Sequence, residues 1–173
     1  AWDSGVRLFD TSPWYGLGLS ERRMGLLLSR QERDSFVLAT KVGRVLTPDP
    51  ALGLRNDAGA WRDAPSFRYR YDYTADGTRR SIEDSLQRLG LARIDVVFVH
   101  DLAPSNGDLG QDGVPGWREQ FEVARRGAFP ALTRMREEGI IKAWGMGVND
   151  PEPILAALEV AEPDLFLAAA QYS

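Results

Sequence analysis

The chain has no cysteine. Disulfides, thiolate catalysis and a zinc–sulfur centre are therefore excluded within these residues. It has one histidine, His100, so no multi-histidine metal site can be assembled from it and no metal ligand set is expected. Long apolar runs are missing as well. No stretch reaches the roughly 20 residues of a membrane span, and no signal-peptide pattern follows Ala1. Positive charge is not in excess: the formal net charge is -4 and the pI about 5.1, which argues against a nucleic-acid or anionic-membrane surface. The default expectation is a cytoplasmic protein with neither nucleic acid nor membrane as partner.

The 173 residues, 43% hydrophobic and 27% charged, are enough for one domain with a real core. Ala1 to Gly5 reads as the last turn of a helix closed by glycine. Val6 to Phe9 is a short β-rich run. Glu21 to Ser29 carries Met24, Leu27 and Leu28 at helical spacing, with Ser20 as the expected N-cap. Phe36 to Thr40 fits a buried parallel strand. From Gly43 to Gly77 there is no helical period. Within that stretch Phe67, Tyr69, Tyr71 and Tyr73 alternate with Arg68, Arg70 and Asp72, a period of two that predicts an extended segment.

Thr78 to Leu89 is the clearest helix, with Ile82, Leu86 and Leu89 on one face and Gly90 closing it. Ile94 to His100 is a strand, and 101–116 is a loop punctuated by glycine and proline. The next helix is broken around Gly127 and Pro130 and stops at Gly139. Ile140 to Val148 is a fourth strand. Asn149-Asp150-Pro151 opens a helix with Ile154, Leu155 and Leu158 apolar, and Leu165 to Ala170 is a fifth strand. Strands alternating with helices predict a parallel α/β sheet with helical cover. A doubly wound sheet and a barrel both satisfy that pattern.

Three of the strands end on chemistry. The first delivers Asp10, the second Lys41 and the third His100, and the turn after the first presents Tyr15. Barrel enzymes place catalytic groups at strand C-termini. Each residue alone has a blander reading: Asp10-Thr11-Ser12-Pro13 as a turn, Tyr15 as a rim aromatic, Lys41 as a solvated side chain, His100 as a structural hydrogen-bonding residue. Gly16-Leu17-Gly18 precedes a helix but lacks the third glycine and the spacing of a dinucleotide fingerprint. Gly145-Met146-Gly147 fits a tight corner at a strand end.

Phe9-Asp10-Thr11 with Tyr15, Thr40-Lys41 and Val99-His100 resemble the catalytic tetrad of the aldo-keto reductases, in the right order and over nearly the whole chain. The phrases Trp14-Tyr15-Gly16-Leu17-Gly18-Leu19-Ser20-Glu21 and Val99-His100-Asp101, with the long insertion after Lys41, resemble the branch that oxidises sugars or pyridoxal. The resemblance decides for a partial (β/α)8 TIM barrel holding strands two to six, residues 1–173 forming one unit incomplete at both ends. An intact barrel takes about 250 residues. Five parallel strands leave two open edges, which another chain or further residues would be expected to cover.

The resemblance implies NADP or NAD as cofactor and a small carbonyl or sugar as substrate. Tyr15 would be the general acid, Lys41 the cation that favours the phenolate, Asp10 the partner that holds Lys41, and His100 the residue that fixes the substrate oxygen. It also implies cofactor contacts from Asp10, Asn149 and Gln171, although alignment on Tyr172 would put Ala169 in the place of Gln171. The family often has Ser-Asn where this chain has Asn149-Asp150. Phe67 to Tyr73, Trp14 and Trp61 could line a substrate pocket, but packing of the extended connection across the rim is the favoured reading. Two competing functions stand beside this one: a Schiff-base lyase using Lys41, and a non-catalytic cofactor-binding regulatory protein on the same scaffold.

Overall fold

The structure, a computed structural model, describes residues 1–53, 56–58 and 61–169. Five parallel strands form the main sheet: β1 (Leu8–Asp10), β2 (Val37–Val42), β7 (Val96–His100), β8 (Ala143–Val148) and β9 (Leu165–Ala168). Their spatial order is their chain order. Each new strand is laid beside the last, with no reversal of direction across the sheet. A doubly wound sheet contains such a reversal, so the partial barrel is the architecture adopted. β1 and β9 are its edges, as the sequence led one to expect.

Four connections carry helices: α1 (Leu19–Leu28), α2 (Ala75–Leu89), the pair α3 (Trp117–Arg126) and α4 (Ala128–Glu137), and α5 (Pro151–Val160). The main core lies between helices and sheet, where Leu38, Val42, Val97, Val99, Trp144 and Met146 meet Leu28, Ile82, Leu89 and Leu132. The other face of the same strands carries Ala39, Val96 and Phe98 in a separate cluster. Because side chains alternate along a strand, Lys41 falls in line with Ala39, and His100 with Val96 and Phe98. The parallel register sets Asp10 beside Ala39, Lys41 beside Phe98 and His100 beside Gly147. The inner row therefore ends, at the C-terminal rim, on polar groups.

Several local expectations need correction. Helix α1 starts at Leu19 rather than Glu21, and its N-cap is Gly18, not Ser20. Gly16, Leu17 and Gly18 all have positive φ (63°, 49° and 90°), a left-handed turn that two glycines make affordable. That turn is what this glycine pair does, and Ser20, inside the helix, hydrogen-bonds Thr11 Oγ1 at 2.9 Å. The buried face of α1 is Glu21, Gly25 and Leu28, while Leu27 is exposed. In α5 the buried residues are Pro153 and Ala157, and Leu155 and Leu158 face outward. Helix α2 begins three residues early, capped by the Thr74 hydroxyl, and stops at the left-handed Gly90.

The long stretch after Lys41 is not a bare extended connection. β3 (Arg44–Pro48) pairs antiparallel with β6 (Phe67–Tyr71), and the short β4 (Asn56–Ala58) pairs with β5 (Trp61–Ala64). Leu17, Leu46 and Ala64 form a small core under Trp14, Trp61, Phe67 and Tyr69. Phe67 and Tyr69 thus pack the hairpin onto the rim, which was the favoured reading, while Tyr71 and Tyr73 pack into the main core. Among the described residues no helix is long and apolar enough to cross a membrane.

Candidate active site

Asp10 closes β1, Lys41 sits one residue before the end of β2, and His100 closes β7. The turn from Thr11 to Leu17 folds back over them. Its backbone bonds Tyr15 N–H to Ser12 O (3.1 Å) and Leu17 N–H to Trp14 O (3.0 Å) set the Tyr15 ring against Lys41 and His100. Lys41 Nζ donates to Asp10 Oδ2 at 2.5 Å and to Thr11 O at 2.9 Å. The same ammonium lies 4.7 Å from the Tyr15 ring centroid. Tyr15 meets the His100 ring edge-to-face at 5.6 Å. The four residues singled out from the sequence are brought together.

Lys41 is 2% exposed, whereas Asp10 is 34% exposed. Burying an ammonium is costly unless it is paired and hydrogen-bonded, and here Asp10 and the Thr11 carbonyl supply both needs. His100 is buried too. Its imidazole is held well below the ordinary value by burial first, then by the Arg44 and Lys41 cations, so it is neutral at physiological pH. Ser12 Oγ lies 3.1 Å from its Nδ1, and the Tyr73 hydroxyl donates to the His100 carbonyl at 2.9 Å.

Beside Tyr15 and His100 opens a cavity of about 320 Å³, also lined by Trp14, Arg44, Asp101, Asn106, Asp108 and Asn149. Asn149 thus lies on the cavity wall. Gln171 lies outside the described residues; Ala169, the alternative, uses its backbone N–H to bond Val148 O. Trp14 faces the cavity, and Trp61 packs on both Trp14 and Tyr15. Among the described residues no group of three or more His, Asp or Glu is placed to hold a metal.

Sequence reasoning missed Arg44. It is 3% exposed, ion-paired to Asp101 at 2.9 Å, bonded to Tyr71 Oη at 3.1 Å, and stacked over the Trp14 ring at 4.5 Å. It also missed Glu21, a fully buried carboxylate that takes Arg88 Nε at 2.5 Å and the Thr40 hydroxyl at 2.8 Å. Glu21 ties α1 and α2 to the strand that carries Lys41. The available signal was a charged residue on the apolar face of a predicted helix.

The model of the aldo/keto reductase family matches residues 1–173. D-threo-aldose 1-dehydrogenase of a Pseudomonas species is 40% identical over 176 residues, covering 100% of this chain and 49% of the relative. Pyridoxal 4-dehydrogenase of Microbacterium luteolum is 40% identical over 184 residues, covering 99% and 51% respectively. An aldo-keto reductase of Bacillus halodurans shares the fold, with a TM-score of 0.64 at 21% identity over 95% of this chain and 44% of its own. The chain spans about half the length of the curated relatives it matches.

Proposed function

The chain belongs to the aldo/keto reductase family, and we propose that it carries the proton-handling centre of a nicotinamide-dependent oxidoreductase that interconverts a small carbonyl compound and its alcohol. The observation that carries this reading is the cluster of Asp10, Lys41, Tyr15 and His100 at one rim of the sheet. Within it we assign Tyr15 as proton donor to the substrate oxygen in the reducing direction and acceptor in the oxidising one. A phenol is a weak acid near neutrality, and a fixed cation beside it favours the phenolate that proton donation leaves behind. Lys41 is that cation, and Asp10 keeps it in place. His100 offers a neutral ring to orient the substrate oxygen.

NADP or NAD would supply or take up the hydride at the substrate carbon. The residues present fit such a group: Asn149, with a carboxamide able to give and accept hydrogen bonds, lines the cavity next to Tyr15 and His100, and Asp10 remains partly exposed at the end of β1. Gln171 is a further candidate contact. Two relatives at 40% identity are an aldose and a pyridoxal dehydrogenase, so we propose an aldose or an aromatic aldehyde as substrate. The polar lining from Arg44, Asp101, Asn106 and Asp108 favours a substrate with several hydroxyls.

A Schiff-base lyase is disfavoured because Lys41 Nζ is already engaged by Asp10 and Thr11, and imine formation would break that pair. The regulatory reading makes no use of a buried cation against a tyrosine ring. The test is turnover with a panel of aldoses and aldehydes against NAD and NADP, using protein expressed from its complete reading frame, with a parallel borohydride trap. Nicotinamide-coupled turnover without a trapped lysine is expected. Labelling of Lys41, or cofactor binding with no turnover on any substrate, would overturn the assignment.

A further inference from the structure

We propose that Arg44 is a positioning residue for His100: it fixes the neutral imidazole in the tautomer with Nδ1 bare and the proton on Nε2. The argument is one of donors and acceptors. Arg44 Nη1 lies 3.4 Å from His100 Nδ1, and a guanidinium has five N–H donors and no acceptor. That contact is a hydrogen bond only if Nδ1 carries a lone pair. The Ser12 hydroxyl is compatible with this tautomer and adds to it, since a hydroxyl can donate as well as accept. Its oxygen accepts from Trp14 N–H at 3.1 Å, and it faces Nδ1 at 3.1 Å, where its own proton can be given. With Nδ1 accepting from Arg44, the ring proton sits on Nε2, a donor available to an oxygen in the adjoining cavity.

Arg44 also disarms the one group that would charge the ring. Asp101 Oδ2 is 3.4 Å from His100 Nε2, a separation at which a free carboxylate would stabilise imidazolium. Arg44 takes the same oxygen at 2.9 Å. The sequence arranges this with a left-handed Asp101, φ 48°, which turns its side chain back beside the histidine it follows. Arg44 is in turn held by Tyr71 Oη and by the Trp14 and Tyr69 rings. The other charged or titratable groups around His100 are Lys41, already paired with Asp10, the Tyr15 ring, and Tyr73 through the backbone carbonyl. β8, on the other flank, contributes no ionisable side chain.

The tautomer stands apart from the proposed reaction; only its use, an Nε2–H aimed at a substrate oxygen, rests on that reading. The two ring nitrogens of His100 read the tautomer directly. Long-range proton–nitrogen NMR of uniformly labelled protein from the complete reading frame, with the His100 ring assigned by its absence in His100→Gln, reports both ring nitrogens. The expected spectrum is that of the Nε2–H tautomer, persisting well below pH 6.5. Arg44→Met should let the neutral ring shift toward the Nδ1–H form, which the Ser12 oxygen can accept, and raise the titration midpoint by about one unit or more, while Arg44→Lys, which restores the charge and a donor, should return both. In protein from the complete reading frame, any acid limb of kcat should move with the same midpoint. A wild-type Nδ1–H signal, or a folded Arg44→Met with an unmoved midpoint, would overturn the proposal. If Arg44→Met does not fold, the wild-type tautomer and the Arg44→Lys titration decide it.

Discussion

Removing the carboxylate of Asp10 tests whether Lys41 is a buried cation that depends on its partner. Asp10→Ala leaves an ammonium that is 2% exposed with one remaining acceptor, the Thr11 carbonyl at 2.9 Å. Breaking a buried ion pair from one side costs about 3–5 kcal/mol. The surviving carbonyl and the partial exposure of Asp10 place this case at the lower end, about 3 kcal/mol. For a chain of this length that is a fall in Tm of about 6–12 °C. Lys41→Met removes the stranded charge, so Asp10→Ala/Lys41→Met should be more stable than Asp10→Ala alone, with a coupling of about 1–3 kcal/mol. Urea unfolding with an unchanged slope is the assay. A loss under about 1 kcal/mol with additive single effects is the behaviour of a surface pair and would refute the reasoning.

Two further outcomes follow from packing and charge. Gly25→Ala would set a Cβ 2.1 Å from the Leu89 carbonyl oxygen, and Gly145→Ala one 1.7 Å from that of Leu165; since backbone must move, each should cost at least about 1–3 kcal/mol, whereas Gly107→Ala, with nothing within 4 Å, should be near neutral in the same melt. At Asp95, burial works to raise the carboxyl, but the Leu38 N–H, Arg33 and Lys142 together outweigh it and hold it below the ordinary value. Its folded pKa is depressed, so its contribution is present above the unfolded value of about 3.9 and is lost as pH falls through the lower folded one. Stability should therefore drop below about pH 4, and Asp95→Asn should flatten that drop; an identical acid limb in the variant would contradict this origin.

What could be read from the sequence was whatever parallel pairing makes local. Asp10, Lys41 and His100 announced themselves because each ends a short strand-like run, and register alone brings such positions to one rim. The end of α2 was legible for the same kind of reason: Gly90 terminates it by its own backbone preference. Arg44 was hidden, since an isolated arginine in a Gly- and Pro-rich stretch reads as solvated until β3 pairs with β6 and slides it under Trp14. The period-two aromatics marked β6, but its partner strand, Arg44–Pro48, is short and has no alternating face to match. Leu155 and Leu158 misled because hydrophobic spacing shows that a face exists, not which face meets the sheet; Ala157 and Pro153 do so. Ser20 misled because an N-cap preference is small beside the left-handed turn built on Gly16 and Gly18.

The most direct test of the central claim is the kinetic split produced by Tyr15→Phe in protein expressed from its complete reading frame. Loss of a positioned general acid costs about 10²–10⁴ in rate, and the ring itself, which holds the Trp14, Trp61 and His100 contacts, is retained. The account predicts a kcat reduced by that factor, with the dissociation constant of the nicotinamide cofactor unchanged within about twofold. A kcat within a few-fold of wild type would remove Tyr15 from the role and, with it, the reading of this rim as a proton-transfer site.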